Sequence, residues 1–422
     1  PGLKSFADLA GSPIRGMKTM AGTLYAVAGS ALYSVAVAGT TVTLGTIAGT
    51  DPVSMATDGT NLVIVNGTAT AYVYNGVSLD TISDADFVSS SKVGFLDTYF
   101  VHLRTDTNQF FITESASATS FIATDRATTE AAPDDLVSFA ISNRDLILFQ
   151  SDTTETWRVT ANPDFPVQRQ EGTYQQRGCL GLNTPAAIDN DVYFLGGDGV
   201  VYKLVGYQST RISHHALETF IRKQSLTDKQ NARGFSITFE GHYWYFLSFA
   251  GGTWAYDVTT SRMMESPKWF QLKSVDQANW RVTSAEEAYG KTYCGDSLGY
   301  ITELDPDTLN ENGNQQIKQR TSAYYHDERN PLSPTRIKLG FEAGVGNDSK
   351  VNPQIEMSIS RDWGKTFDSP LPRSLGRAGE YETEATWGRV GISKNVALRW
   401  VSTDDVELTL TGAYAEFERG NG

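Results

Sequence analysis

The stretch Val192–Val205, VYFLGGDGVVYKLV, places two runs of β-branched and aromatic residues around Gly196, Gly197, Asp198 and Gly199. Residues that tolerate positive φ can close a tight chain reversal, so the stretch predicts a β-hairpin. Similar hairpin patterns start at Leu24, Leu62, Tyr99, Leu146, Tyr243 and Tyr289. With Val192 included, the starts lie 37 to 51 residues apart. This spacing is near the roughly 40 to 50 residues of a propeller blade.

The repeated hairpins predict an all-β fold, namely a β-propeller with six or seven blades. Closing the ring buries apolar faces that a lone hairpin leaves exposed, and it leaves few open strand edges. Seven hairpins are visible, but a closing blade or an outlying hairpin would reduce the ring to six. The alternative is a sandwich or barrel whose hairpins resemble one another only as all hairpins do. Residues 1–22, interrupted by Gly and Pro, are expected to lend a closing strand.

Two departures from the hairpin rhythm predict the domain organisation. Ser213 as an N-cap, followed by Ala216, Leu217, Phe220 and Ile221 at helical spacing, predicts one helix in an insertion near residues 213–232. After about Asp305 a polar, turn-rich boundary leads into alternating strands typical of a sandwich. We therefore expect a propeller over 1–310 and a C-terminal β-sandwich over 311–422. The segment 115–133, rich in Ser, Thr and Ala, is expected to be a long exposed loop.

Charge limits the classes of partner. The chain has 49 acidic and 35 basic residues and a net charge of −14. The sign of this charge is opposite to that expected of a protein that binds nucleic acid by neutralising its phosphates. Residues 80–135 contain ten Asp or Glu against three Lys or Arg. This stretch predicts either solvated blade loops or an acidic surface that repels nearby DNA. The two cysteines, Cys179 and Cys294, have no metal-like spacing, consistent with assembly in a reducing cytosol.

No motif predicts catalysis. Gly295-Asp-Ser297-Leu-Gly299 matches G-x-S-x-G and the GDSL signature, but a strand pattern follows it where a nucleophile elbow needs a helix. It predicts a hairpin turn. The five histidines have no zinc-binding spacing, so the sequence predicts no catalytic residue, no metal site and no cofactor. No apolar run is long enough to span a bilayer.

Residues 360–367 fit the Asp-box pattern S-x-D-x-G-x-T-[W/F] through Ser360, Asp362, Gly364, Thr366 and Phe367. The motif resembles those of sialidase propellers, where it is a hairpin turn remote from the active site. The Asp and Ser side chains can accept hydrogen bonds from turn amides, and Gly takes the special φ. We expect a structural turn, with Phe367 anchored in the core.

The block 206–218, GYQSTRISHHALE, resembles a signature of packaged-DNA stabilisation proteins, the tail hub or nozzle proteins of short-tailed phages (podoviruses). The residues that carry the resemblance are Gly206, Tyr207, Gln208, Arg211, Ile212, Ser213, His215 and Glu218. Further matches include PGL at residues 1–3, Arg15-Gly-Met17 and Leu375-Gly-Arg-Ala-Gly-Glu-Tyr381. Met263-Met264 departs from the family's Trp-His pair. The family pattern extends before PGL, so we expect further residues to precede Pro1.

The resemblance implies a non-enzymatic part of the virion tail, made in the bacterial host cytoplasm. About six copies would ring the tail axis beneath the portal and its adaptor, retain packaged DNA and dock tail fibres, spikes or a needle. DNA would pass through the lumen without sequence-specific binding, and we predict that Asp84, Asp86 and Asp97 form an acidic channel face. The alternatives are a glycan-binding propeller or a glycan-cleaving, sialidase-like one. An enzyme of that kind would need Arg and acid groups converging at the ring centre, which no linear motif announces.

Overall fold

The computed structural model describes residues 1–9, 11–129, 132–160, 162, 164–328, 330–388 and 390–419, the last without its side chain. Its contacts divide the chain into two units. One comprises Ser5–Leu304, and the other comprises Pro1–Lys4 together with Asp305–Gly422.

The part of the chain that ends at Asp305 contains these strands: β1 (Gly2–Asp8), β2 (Ile14–Met20), β3 (Thr23–Ala28), β4 (Ala31–Val35), β5 (Thr41–Thr46), β6 (Ser54–Thr57), β7 (Leu62–Val65), β8 (Ala71–Tyr74), β9 (Leu79–Thr81), β10 (Ser90–Leu96), β11 (Tyr99–Arg104), β12 (Gln109–Thr113), β13 (Phe121–Thr128), β14 (Leu136–Ser142), β15 (Asp145–Gln150), β16 (Thr154–Val159), β17 (Val167–Arg169), β18 (Ala186–Ile188), β19 (Asp191–Leu195), β20 (Val201–Val205), β21 (Gln208–Arg211), β22 (Arg233–Phe239), β23 (His242–Phe249), β24 (Gly252–Asp257), β25 (Trp269–Leu272), β26 (Val282–Ala288), β27 (Lys291–Asp296) and β28 (Tyr300–Asp305). The helices are α1 (His215–Lys223), α2 (Leu226–Gln230) and α3 (Val258–Met263).

These strands form a closed ring of seven four-stranded antiparallel sheets within the described part of the chain. Six sheets use consecutive strands, from β2–β5 to β22–β25, and the seventh has the order β1-β28-β27-β26. Each innermost strand lies beside the innermost strands of the sheets before and after it, and β26 lies beside β2. The predicted propeller is therefore confirmed with seven blades, and β1 completes the seventh blade as its outermost strand.

The hairpin around Gly199 shows why these sequences turn where they do. β19 and β20 pair from Val192↔Leu204 to Leu195↔Val201. Gly199 has φ +76°, a conformation that favours glycine. The Asp198 carboxylate holds the turn, because it accepts hydrogen bonds from the Val200 amide at 3.1 Å and the Tyr202 hydroxyl at 2.6 Å. One glycine and one carboxylate thus close this turn.

Some local predictions were wrong. The segment 115–133 is not a continuous loop, because β13 crosses it with Phe121 buried. The described residues contain three helices where we predicted one. The N-cap of α1 is His214, not Ser213: the His214 Nδ1 accepts from the Leu217 amide at 3.2 Å. Ser213 does not cap the helix, because its hydroxyl instead accepts a hydrogen bond from the Val201 amide at 3.1 Å.

The second unit contains a two-sheet sandwich. Its strands are β29 (Lys318–Thr321), β30 (Leu332–Phe341), β31 (Gln354–Ser360), β32 (Leu371–Ser374), β33 (Ala385–Gly388), β34 (Ala397–Ser402) and β35 (Leu410–Arg419). One sheet has the order β29-β34-β31-β32 and the other β33-β30-β35. Apolar residues from both sheets, including Ile337, Met357, Trp387 and Trp400, form one buried cluster. The predicted sandwich fold of the C-terminal part is confirmed.

Candidate functional site

Three residues of the block 206–218 converge where β21 leads into α1. The Arg211 guanidinium donates from Nε to Glu218 Oε1 at 2.8 Å, and its Nη2 donates to Glu218 Oε2. The Ser213 hydroxyl donates to the same carboxylate at 2.7 Å. Burial alone would raise the pKa of Glu218, but the hydrogen bonds from Arg211 and Ser213 outweigh it and lower that pKa. This arrangement fixes the first turn of α1 to the end of the fifth blade.

Apolar contacts hold the rest of α1. Leu217 and Ile221 are fully buried in a cluster shared by the fifth and sixth blades. The Phe220 ring lies 5.6 Å from Phe249 and 5.8 Å from Trp254. Ile212 is buried, and its carbonyl accepts from the Trp269 indole at 2.7 Å. The signature block thus joins two blades mechanically.

The remaining signature residues lie apart from that cluster. Gly206, with φ +58°, and Tyr207 form the β20–β21 turn. The Tyr207 hydroxyl donates to Asp145 Oδ2 at 3.4 Å. Gln208 begins β21, and His215 is exposed on α1. These four residues are not brought together into one site.

The three predicted acidic residues do not share one face of the propeller. Asp84 and Asp86 lie beside the outermost strand of the third blade, because Asp84 Oδ2 accepts from the Phe121 amide at 3.1 Å and the Asp86 carbonyl accepts from Arg126 at 2.8 Å. Asp97 lies at the end of the innermost strand β10, where two bonds of 2.9 Å pair it with Arg144 of the next blade.

A larger set of acidic residues, which includes Asp84 and Asp86 but not Asp97, gathers at one end of the ring. Because neighbouring strands are antiparallel, the turns between second and third strands lie at the same end as the blade-to-blade connections. In blades one to five this end carries nine carboxylates among the described residues, here called the acidic loop end: Asp51, Asp84, Asp86, Asp106, Asp134, Asp135, Asp152, Glu171 and Asp198. Arg177 is the basic residue among the described positions of the same loops, 29–30, 47–53, 66–70, 82–89, 105–108, 132–135, 151–153, 170–185 and 196–200. The helical connection 212–232 carries both signs.

The sequence predicted only Asp84 and Asp86 of this set, because its members are far apart along the chain. Besides Asp84 and Asp86, only Asp106, Asp134 and Asp135 fall inside the acidic stretch 80–135. The others were not recognisable as neighbours until the order of strands within each blade was known. One sequence pattern could have revealed these residues: an acidic residue recurs in the turn between the second and third strands of successive blades, as at Asp106, Asp152 and Asp198.

The GDSL-like segment is a hairpin turn between β27 and β28. The buried Asp296 carboxylate accepts from the Leu298 and Tyr300 amides at 2.9 and 2.8 Å. It also forms a buried ion pair with Arg281, at 2.7 Å. Ser297 is thus followed by a strand and not by a helix, and this acid is occupied with the turn. The geometry is that of a structural turn and lacks the nucleophile elbow of an esterase.

The Asp-box segment closes a turn after β31. Ser360 Oγ accepts from the Gly364 amide at 2.8 Å, and Asp362 accepts from the Thr366 amide at 2.9 Å and its hydroxyl at 2.7 Å. The bonds from Thr366 lower the pKa of Asp362 to about 2. Phe367 is half-buried and does not sit in the core; the Arg399 guanidinium lies 3.9 Å from its ring centre.

Other reactive side chains are placed structurally. Among the described residues no cluster of His, Cys, Asp or Glu could hold a metal ion. Cys179 and Cys294 are free and buried, and burial raises the pKa of both thiols, that of Cys294 to about 12. None of the described helices is long and apolar enough to cross a membrane.

Comparison with known families agrees with this architecture. A family model described as the β-propeller of bacteriophage P22 Gp10 matches residues 1–309. A second model, described as the β-sandwich of the same protein, matches residues 319–418. The chain belongs to the bacteriophage P22 Gp10 family. This is a family of phage packaged-DNA stabilisation proteins, and membership in it supports a structural role for the chain in the virion.

Several solved structures resemble the Gp10-family chain at low identity. The computationally designed Ika8 protein is 11% identical with a TM-score of 0.42, over 71% of this chain and 99% of that one. BamB from Moraxella catarrhalis is 10% identical with a TM-score of 0.43, over 72% and 97%. PorZ, a surface component of the type-IX secretion system of Porphyromonas gingivalis, is 13% identical with a TM-score of 0.43, over 74% and 38%. A search of curated proteins finds no match.

Proposed function

We propose that this protein is the tail hub, or nozzle, that closes the portal channel of a short-tailed phage. In this role it retains packaged DNA, and the DNA later passes its surface without sequence-specific recognition. Its partners are further copies of itself, in a hexamer, the portal adaptor, and a tail fibre, spike or needle protein. It is made in the host cytoplasm and acts in the virion without catalysis. We further propose that residues 1–310 and 311–422 are its two functional domains.

The acidic loop end is the observation that supports this role beyond family membership. Six of its nine carboxylates are exposed, and Asp84, Asp86 and Asp134 are half-buried. Such a surface repels the phosphates of DNA at distances up to a Debye length, about 8 Å at physiological salt. A surface that meets DNA under pressure and must release it benefits from this repulsion, since cationic contacts would hold the strand.

The oligomeric proposal is tested by the mass of the full chain in solution, with and without the portal adaptor of its phage. A single chain has a mass of 46.2 kDa. The expected result is a species with six times the mass of one chain, either alone or on the adaptor ring. A chain that stays monomeric and does not bind the adaptor would overturn the nozzle assignment.

The charge proposal is tested in virions that carry Asp106→Asn, Asp135→Asn and Asp152→Asn together. All three residues are exposed at the acidic loop end. The matched control carries Asp164→Asn, Glu240→Gln and Glu265→Gln, which remove the same charge from exposed positions at the opposite end of the ring. We expect slower DNA ejection with the first set and unchanged ejection with the second. Equal ejection rates for the two sets would show that the acidic loop end does not face DNA.

A further inference from the structure

Three exposed ring side chains meet at the Asp-box turn of the sandwich. Trp363 is 54% exposed and Tyr324 is 47% exposed. Their ring centres lie 5.6 Å apart at an angle of 60°, so the two rings form a shallow open angle. The His326 side chain is also exposed, and its ring centre lies 6.1 Å from that of Trp363. We call Tyr324, His326 and Trp363 the aromatic platform.

The turn holds this platform rigidly. The Tyr324 hydroxyl donates to the Trp363 carbonyl at 2.8 Å, and the Trp363 amide donates to Asn395 Oδ1 at 3.2 Å. The next residue, Gly364, has φ +79°, and a Cβ there would lie 2.6 Å from the Tyr324 hydroxyl. Glycine is therefore required both for the turn and for the close approach of Tyr324.

The backbone at Trp363 indicates that its ring is not there for stability. Trp363 has φ +63°, a region in which a bulky side chain is unfavourable and Asn or Gly is preferred. Since Trp363 is also more than half exposed, the free energy gained by burying its ring offsets only part of the cost of this backbone conformation. A strained residue at a rigid and exposed position is a reason to look for a ligand.

The size and chemistry of the platform favour a sugar over a protein. With about 250 Å² for a tryptophan and slightly less for a tyrosine, the two rings expose about 230 Å². A stable protein interface covers about 800 Å² per partner, far more than this. One or two pyranose rings have a matching area, and each offers a face of C–H groups that packs on an aromatic ring and a rim of hydroxyls.

The turn that carries Trp363 also carries polar groups suited to those hydroxyls. Arg361 is fixed by Asp368 and by the Val390 carbonyl, and it precedes the turn. Lys365 is exposed on the turn itself, and the Asp362 carboxylate is fixed by Thr366. Aromatic walls with a few fixed polar groups are the usual composition of a small-ligand site. We propose that the aromatic platform binds the pyranose rings of a bacterial surface oligosaccharide.

The test measures binding of the full chain to an array of lipopolysaccharide core, O-antigen and peptidoglycan oligosaccharides. The variant Trp363→Asn removes the ring and suits the positive φ, so it is expected to fold at least as well as the parent. We expect at least one oligosaccharide to bind the parent, and this variant to weaken its binding tenfold or more. Tyr324→Ser provides a second variant with the same expected loss.

The matched control is Tyr414→Ser, which removes a 69% exposed aromatic from β35 in the other sheet of the sandwich. It should change the affinity by less than twofold. The proposal is overturned if no oligosaccharide on the array distinguishes the parent from Trp363→Asn. It is equally overturned if Trp363→Asn instead prevents incorporation into virions, because the platform would then be a protein contact. A negative binding result leaves the nozzle assignment intact, since that rests on mass and ejection.

Discussion

His102 makes the stability of the propeller sensitive to mild acid. The side chain is fully buried in the third blade, stacked on Phe111 with ring centres 5.0 Å apart. Phe87 and Phe121 meet its ring edge-on at 5.8 and 5.5 Å. Burial lowers the pKa of His102 from 6.5 to about 3, so the folded protein keeps this imidazole neutral.

The size of the effect follows from proton linkage. Below pH 6.5 the unfolded chain protonates His102 while the folded chain does not, so stability falls as the pH drops towards 3. Each pH unit in this range costs about 1.4 kcal/mol, and lowering the pH from 7 to 5 costs about 2 kcal/mol. His102→Phe removes the titration and keeps a ring among the three phenylalanines.

The assay is urea unfolding of parent and variant at pH 7 and pH 5. We expect the parent to lose about 2 kcal/mol more than His102→Phe between the two values, whatever their difference at pH 7. His215→Gln is the matched control, because it removes an exposed histidine from α1 and leaves the buried His102 in place. Parallel losses in the parent and His102→Phe would refute the assignment of a neutral buried imidazole.

Other predictions concern two turns. Arg281→Met leaves the fully buried Asp296 carboxylate without its cation, so it should lower the free energy of unfolding in urea by about 3–5 kcal/mol. Adding Asp296→Asn to this variant should restore part of the lost free energy. A double variant no more stable than Arg281→Met would contradict this. The Asp362 carboxyl should titrate near pH 2 by NMR. The stability that this carboxylate adds above pH 4 should be lost as the pH falls from 4 through 2. Gly364→Ala should lower the melting temperature of the sandwich, since both φ +79° and the Tyr324 hydroxyl oppose a Cβ; an unchanged value would argue against that crowding.

The propeller was predictable because each hairpin carries its own signal. Alternating β-branched and aromatic residues around a turn such as Gly199 report a local structure, and seven repeats at blade spacing imply a ring. The number of blades was not predictable from hairpins, because the seventh sheet needs β1 as its fourth strand. A closing strand from residues 1–22 was expected, but its pairing with β28 is a long-range contact that no local pattern specifies.

The candidate sites were less predictable, because they depend on contacts between distant residues. Arg211, Ser213 and Glu218 are close in sequence, and the structure brings them together. Asp97 looked like part of an acidic face, but its partner Arg144 lies 47 residues away in the next blade. Ser213 was a plausible cap by residue type, yet the amide of Val201 in a neighbouring strand competes for its hydroxyl.

The position of β1 also sets an order of events during synthesis. The ring cannot close until β26–β28 have been made, and all six other blades are translated between β1 and these strands. Until then β1 has no partner strand, and the inner strands β2 and β22 each lack a neighbouring blade. Open strand edges are prone to pair with other chains. At about 5–20 residues per second, a ribosome needs tens of seconds to translate those blades. During this time the growing chain depends on chaperones, or on folding of each blade in turn, to keep these edges from pairing with other chains.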